Sequence, residues 1–261
     1  MKKFCFTIDD NIRFFHEITQ RNEESLFAHP YLALLRRLHK NLGLKIQLNL
    51  FYQTKDFNLS MFSERYKREW EECSDWLKLS FHSLNEKGGK EYETAEYDRV
   101  YEDCLKTQKE IIRFAGEKSL AKTTTIHCCA ATSDGVKALQ DLGVRGVLGL
   151  FGTDEQPRLS YDCDLIDAQN GRNGQIISKN GMAYAGIHCI LNSFSLEDIL
   201  HKLENLDGRE QVFIMIHEQY FYPDYPRYQQ DFEEKIVKAV DKLKQQDFIS
   251  SFFEELISIN D

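Results

Sequence analysis

Short apolar or β-branched runs alternate with longer stretches of helical period along most of the chain. Residues 3–8 predict a strand, and 23–42 a helix with Leu26, Leu34, Leu35, Leu38 and Leu42 on one face. Gly43 sits where a helix C-cap belongs, and 45–51 follows as a strand. Ser60 is placed to cap a helix reaching Cys73, and 76–81 is the next strand. A long amphipathic stretch, 94–114, leads into a strand over 123–126. A short helix over 133–142 ends at Gly143 before a strand over 144–148. Strand–helix repetition of this kind implies a parallel sheet covered by helices.

The region 158–192 breaks the rhythm. It has little helical period, and its Asn170-Gly171, Asn173-Gly174 and Asn180-Gly181 pairs are turn signals, so a β-hairpin-rich insertion is expected there. Alternation then resumes with helix 196–206, strand 211–216, helix 230–243 and a last apolar segment, 248–256. Four prolines and no linker-like tract favour a single domain over residues 1–261. The expected fold is α/β, a (β/α) barrel that is complete or, missing a unit, incomplete. A doubly wound nucleotide-binding sheet is disfavoured, because the first strand ends in Asp9-Asp10 rather than a glycine-rich phosphate loop.

Composition narrows the function classes. Of 261 residues, 42% are hydrophobic and 29% charged, enough for a sizeable core. Lys plus Arg is 33 against 42 Asp plus Glu, a net charge of -9, which argues against a nucleic-acid partner. No run approaches a membrane span. Acids follow closely on the lysines of MKKFCFTIDD, leaving no signal-peptide core, so a cytoplasmic location is expected. The seven cysteines are odd in number and lack CxxC spacing, which points to reduced thiols.

The chemistry lies in what terminates the strands. The first runs into Asp9-Asp10, the third into His82, the fourth into His127, and the strand over 211–216 into His217. In a barrel these ends share one rim, where active sites sit. One carboxylate and two imidazoles leaving positions open form a common hydrolytic or oxidative metal site. Asp10 and His82 fit the first two places. His127 is the preferred third ligand, with Glu86 the alternative. A turn immediately after Asp10 would leave Asp9 free to take a proton. Tyr220, Phe221 and Tyr222 follow His217 and are candidates for contacting substrate. Glu218 is left open between orienting His217 and facing solvent.

These residues carry a family resemblance. Phe6-Thr7-Ile8-Asp9-Asp10 resembles the first motif of the polysaccharide deacetylases of the NodB-homology type. Ser80-Phe81-His82-Ser83 resembles their second motif and Ile214-Met215-Ile216-His217 their last. The resemblance implies a distorted (β/α) barrel, a divalent metal and hydrolysis of an N-acetyl or related amide bond. It assigns Asp9 as catalytic base, Asp10 and His82 as metal ligands and His217 as general acid. Zinc is the first expectation, with cobalt, nickel or iron as alternatives, and the expected substrate is a carbohydrate or a small amide.

Two departures stand out. Position 86, where the second motif would supply another histidine, is Glu. The third motif reads Ile126-His127-Cys128-Cys129-Ala130, without the family's arginine and prolines. Rival expectations are a non-catalytic carbohydrate-binding or regulatory relative and a small-molecule amidase. A cysteine hydrolase using Cys128 or Cys129 with His127 is the remotest.

Overall fold

The computed structural model describes residues 1–85, 91–153, 155–206 and 208–257. In chain order the strands are β1 (Lys3–Asn11), β2 (Ile46–Gln53), β3 (Leu77–Asn85), β4 (Thr123–Thr124) and β5 (Gly146–Gly149). They continue with β6 (Ile177–Lys179), β7 (Met182–Gly186), β8 (Cys189–Ile190), β9 (Gln211–His217) and β10 (Ile249–Ser250). The helices are α1 (Arg13–Arg21), α2 (Pro30–Leu42), α3 (Lys67–Glu72), α4 (Tyr97–Ala115), α5 (Ser133–Asp141), α6 (Leu165–Arg172), α7 (Leu196–Lys202) and α8 (Phe232–Lys244).

One sheet runs β3-β2-β1-β9-β8, with β10 paired to the start of β1; the other runs β4-β5-β7-β6. All pairings are parallel except β6 with β7. The sheets meet at two seams. At one, Ala121 N donates to Leu79 O at 2.8 Å; at the other, His188 N donates to Phe213 O at 2.8 Å. Neither seam carries a continuous ladder, and the result is the distorted, incomplete barrel expected from the sequence.

Side chains alternate across each strand. On β1, Phe4, Phe6 and Ile8 face outward into a large core with Leu34, Leu35 and Leu38 of α2 and Ile236, Val240 and Leu243 of α8. Cys5 faces the barrel interior with Leu148, Ala183, Phe213 and Phe253. Thr7 and then Asp9 continue that inward row. An aromatic cluster of Phe14, Phe15, Phe62, Trp70 and Phe114 seals α1, α3 and α4 onto the sheet. Burial of each such ring stabilises the fold by about 1.5–3 kcal/mol.

Several predicted elements shift for physical reasons. The helix expected over 23–42 is divided: a 3-10 turn, Leu26–Ala28, precedes α2, which starts at Pro30. Proline forces His29 into an extended conformation and removes an N–H, so it suits the first helical position and no later one. Helix α1 had no counterpart in the sequence reading. The region 158–192 holds one hairpin, β6–β7, whose turn residues Asn180 (φ 52°) and Gly181 (φ 77°) both have positive φ, as a two-residue turn requires. Asn170-Gly171 instead lies inside α6, which a capping box of Asp164 and Asp167 initiates. A Cβ on Gly171 would stand 2.3 Å from the Phe151 ring, so that glycine serves close packing and not a turn. Among the described residues, no helix is long and apolar enough to cross a membrane.

Candidate metal centre and active site

Asp9 and Asp10 are brought together by a bulge where a turn was expected. β1 continues to Asn11, but its register against β2 shifts between Ile8 and Asn11. Asp10 occupies the left-handed region at φ 63°. A regular strand would send the two neighbouring carboxylates to opposite faces. Here Asp9 Oδ2 lies 3.9 Å from His82 Nδ1 and Asp10 Oδ1 lies 3.0 Å from His82 Nε2, so one imidazole faces both. Left-handed backbone at a non-glycine residue is uncommon, and it collects at functional sites.

His82 is presented by β3 and His127 by a tight 3-10 turn after β4. Cys128 (φ 61°) and Cys129 (φ 52°) hold that turn in the left-handed region. The Nδ1–H of His82 donates to the Thr125 main-chain carbonyl, which leaves Nε2 with its lone pair directed into the site. That Nε2 stands 3.1 Å from His127 Nδ1, and His127 Nδ1 stands 3.5 Å from Asp10 Oδ1. Phe51 packs against both imidazoles, with ring centroids 5.3 and 5.4 Å away. Three acceptor atoms from three strand ends thus face one point. They form a possible metal-holding group of Asp10, His82 and His127. Glu86 lies outside the described residues.

The donor set fits a divalent ion. Ligands about 2.0–2.1 Å from a tetrahedral ion lie roughly 3.4 Å apart, and the observed separations of 3.0, 3.1 and 3.5 Å bracket that spacing. Asp10 Oδ1 is buried and faced only by the His82 and His127 ring nitrogens, so with both lone pairs turned inward it has no donor, which is costly unless a cation shares the space. Its companion Oδ2 accepts from Gln219 Nε2 at 2.7 Å, which fixes the carboxylate plane. Burial alone would raise the Asp10 carboxyl, but His127 and His82 outweigh it and hold the group well below the usual carboxylate range. Asp9 is raised by its burial, against the pull of His82, His217 and Asn49.

His217 ends β9 directly across from Asp9 in the parallel register. Its backbone N donates to Asn192 Oδ1 at 3.1 Å, which identifies that atom as the oxygen. His217 Nδ1, 2.8 Å from the same oxygen, therefore carries a hydrogen and leaves Nε2 available. A recess of about 210 Å3 beside Asp10 is lined by Ile12, Arg13, His16, Phe51, Thr54, Gln219 and Tyr225, among others.

The three aromatic residues after His217 take different places. Tyr222 is buried, with its hydroxyl donating to Glu218 Oε1 at 2.6 Å and its ring under the Arg13 guanidinium at 3.9 Å. Phe221 packs against Tyr31 and Phe232. Both pack into the fold, and with Arg13, His29 and Pro30 they line a separate recess of about 380 Å3. Tyr220 alone of the three lies beside His217, at 6.1 Å between ring centroids. Glu218 neither orients His217 nor faces solvent: its carboxylate accepts the backbone N–H groups of Ile12, Arg13 and Phe14 at 2.8, 3.0 and 2.8 Å. It caps α1 from the far end of the chain. His188 Nε2 faces the Lys202 carbonyl at 3.0 Å. Burial pushes the Cys129 thiol far up, the reverse of what a nucleophile needs.

Two buried residues behind Asp9 were missed. Asn49 Nδ2 donates to Asp9 Oδ1 at 2.6 Å, and Gln47 Nε2 donates to Asn49 Oδ1 at 2.8 Å. Their signal is present in the sequence: Gln47 and Asn49 alternate with Ile46, Leu48 and Leu50, so a strand that reads as buried carries a polar face.

The fold of this barrel is similar to that of solved family 4 carbohydrate esterases and polysaccharide deacetylases, with little sequence in common. A family 4 carbohydrate esterase from Streptomyces lividans, solved in complex with acetate, superposes with a TM-score of 0.53 at 12% identity, covering 96% of this chain and 92% of that one. A peptidoglycan N-acetylglucosamine deacetylase gives 0.51 at 11% identity, covering 98% and 87%. The 4-alpha-glucanotransferase of Thermococcus litoralis gives 0.57 at 12% identity, where the whole of this chain spans 40% of that protein. No protein-family profile and no curated protein sequence matches the chain.

Proposed function

We propose that the protein is a metal-dependent hydrolase that removes an acyl group from nitrogen, acting as a de-N-acetylase on a carbohydrate. The observation that carries this reading is the convergence of Asp10, His82 and His127 on one point, with Asp9 and His217 paired beside it. The carbohydrate is suggested by what the structurally similar esterase and deacetylase act on. Asp10, His82 and His127 would hold the ion, zinc first and cobalt, nickel or iron also suited to such ligands. Bound there, a divalent ion would polarise the substrate carbonyl and lower the pKa of a water toward ~7.

The remaining work falls to the chain's own side chains. Asp9, raised by burial and held at Oδ1 by Asn49, takes the proton of the attacking water. His217, fixed through Nδ1 by Asn192, offers Nε2 as the acid that protonates the departing amine. The recess beside Asp10 holds the group being cleaved, and Tyr220 borders the approach to His217. The fold is assigned as one domain built around this rim.

The test is hydrolysis of N-acetylated oligosaccharides and a panel of small amides before and after chelation. Acetate release that chelation abolishes and a divalent ion restores is the expected result. Sugar binding without turnover in the metal-loaded protein would replace the hydrolase with a non-catalytic binding relative.

A further inference from the structure

The row of inward-facing polar residues beneath the rim has a direction. Gln47 and Asn49 are both buried, and Thr123 and Thr125 approach them from β4 and the residue just beyond it. The Thr123 main-chain carbonyl can only accept, so the Gln47 atom 2.9 Å from it is the amide nitrogen. With the amide so oriented, the Thr123 hydroxyl donates to Gln47 Oε1 at 2.8 Å. The same Gln47 nitrogen lies 2.8 Å from Asn49, so the Asn49 atom there is its oxygen. Asn49 therefore turns its nitrogen to Asp9 Oδ1 at 2.6 Å and to Thr125 Oγ1 at 3.2 Å.

We propose that Gln47 and Asn49 form a one-way hydrogen-bond chain, anchored on the Thr123 backbone carbonyl, that positions Asp9 for proton transfer. Both are positioning residues, and their role rests on the hydrolase reading above. Neither amide can rotate by half a turn without setting acceptor against acceptor, and each buried group left unpaired costs about 1–3 kcal/mol. The bond from Asn49 to the Asp9 carboxylate is charge-assisted and short. It engages Oδ1 as an acceptor and leaves Oδ2, on the His82 side, as the oxygen that receives the proton.

Two measurements test the chain. In the metal-free wild-type protein, NMR should find the Asn49 side-chain amide hydrogens strongly protected from exchange; exchange as fast as that of an exposed asparagine overturns the proposal. In Asn49→Leu, kcat should fall about 10- to 100-fold, with KM and bound-metal stoichiometry within about twofold of wild type. A folded Asn49→Leu protein with unchanged kcat also overturns it. Wild-type protein inactive on every amide would sink the hydrolase reading, while the amide-exchange result would still decide whether the chain of bonds exists.

Discussion

At the scale of single residues, two adjacent aspartates with the same side chain occupy different physical situations. Asp9 pairs in register with β9, buried beneath a donor, whereas Asp10 sits in left-handed backbone with one buried oxygen facing the two imidazoles. Strand-end position was enough to single out both, together with His82, His127 and His217, because acids and imidazoles are conspicuous against apolar runs. The bulge that separates their roles was not legible, since register against β2 depends on residues far away in sequence. Asn49 and Gln47 escaped notice because a polar residue on a buried strand carries no chemical label until its partner is seen. The Asp10→Asn protein keeps a residue that tolerates left-handed backbone and removes the charge. Its melting temperature should stay within a few degrees of wild type while titration calorimetry finds metal affinity weaker by at least about tenfold. Undiminished affinity would remove Asp10 from the ligand set.

At the scale of elements, α1 shows why some structure cannot be read locally. It follows β1 at once, its N-cap residue Ile12 offers no side-chain acceptor, and its first turn has no acid. The missing cap comes from Glu218, more than two hundred residues on, whose carboxylate takes three N–H groups at the positive end of the helix. Burial raises the Glu218 carboxyl to about 7, against the pull of Tyr222 and those three backbone donors. The folded state thus binds this proton more tightly than the unfolded chain does. The contribution is fully present below the unfolded value and is lost as pH rises from about 4.5 through about 7. Urea unfolding at pH 5 and pH 8 should therefore find wild-type stability lower at pH 8, with this group accounting for up to about 3 kcal/mol. Glu218→Gln should be less stable overall, through its weakened cap, and should lose that part of the pH dependence. An identical pH slope in both proteins would exclude Glu218 as its source.

At the scale of the whole molecule, alternating strands and helices were sufficient to indicate an incomplete barrel, because each strand buries both faces and each helix one. The closure was less legible. β4 has two residues and β8 two, so neither produces much of a run, and beside the backbone bonds at Ala121 and His188 the β3–β4 seam is held by side chains such as Ser80 and His82. The β6–β7 hairpin was signalled by Asn180-Gly181, but the same dipeptide at Asn170-Gly171 served helix packing, a distinction that needs the Phe151 ring in view. What the barrel accomplishes is to carry Asp10, His82 and His127 from distant parts of the chain to within 3.5 Å of one another. Anomalous X-ray scattering from crystals grown with zinc or cobalt tests that convergence most directly. The account predicts one strong peak about 2.0–2.3 Å from Asp10 Oδ1, His82 Nε2 and His127 Nδ1. A peak held elsewhere, or no peak in the presence of a saturating ion, would contradict it.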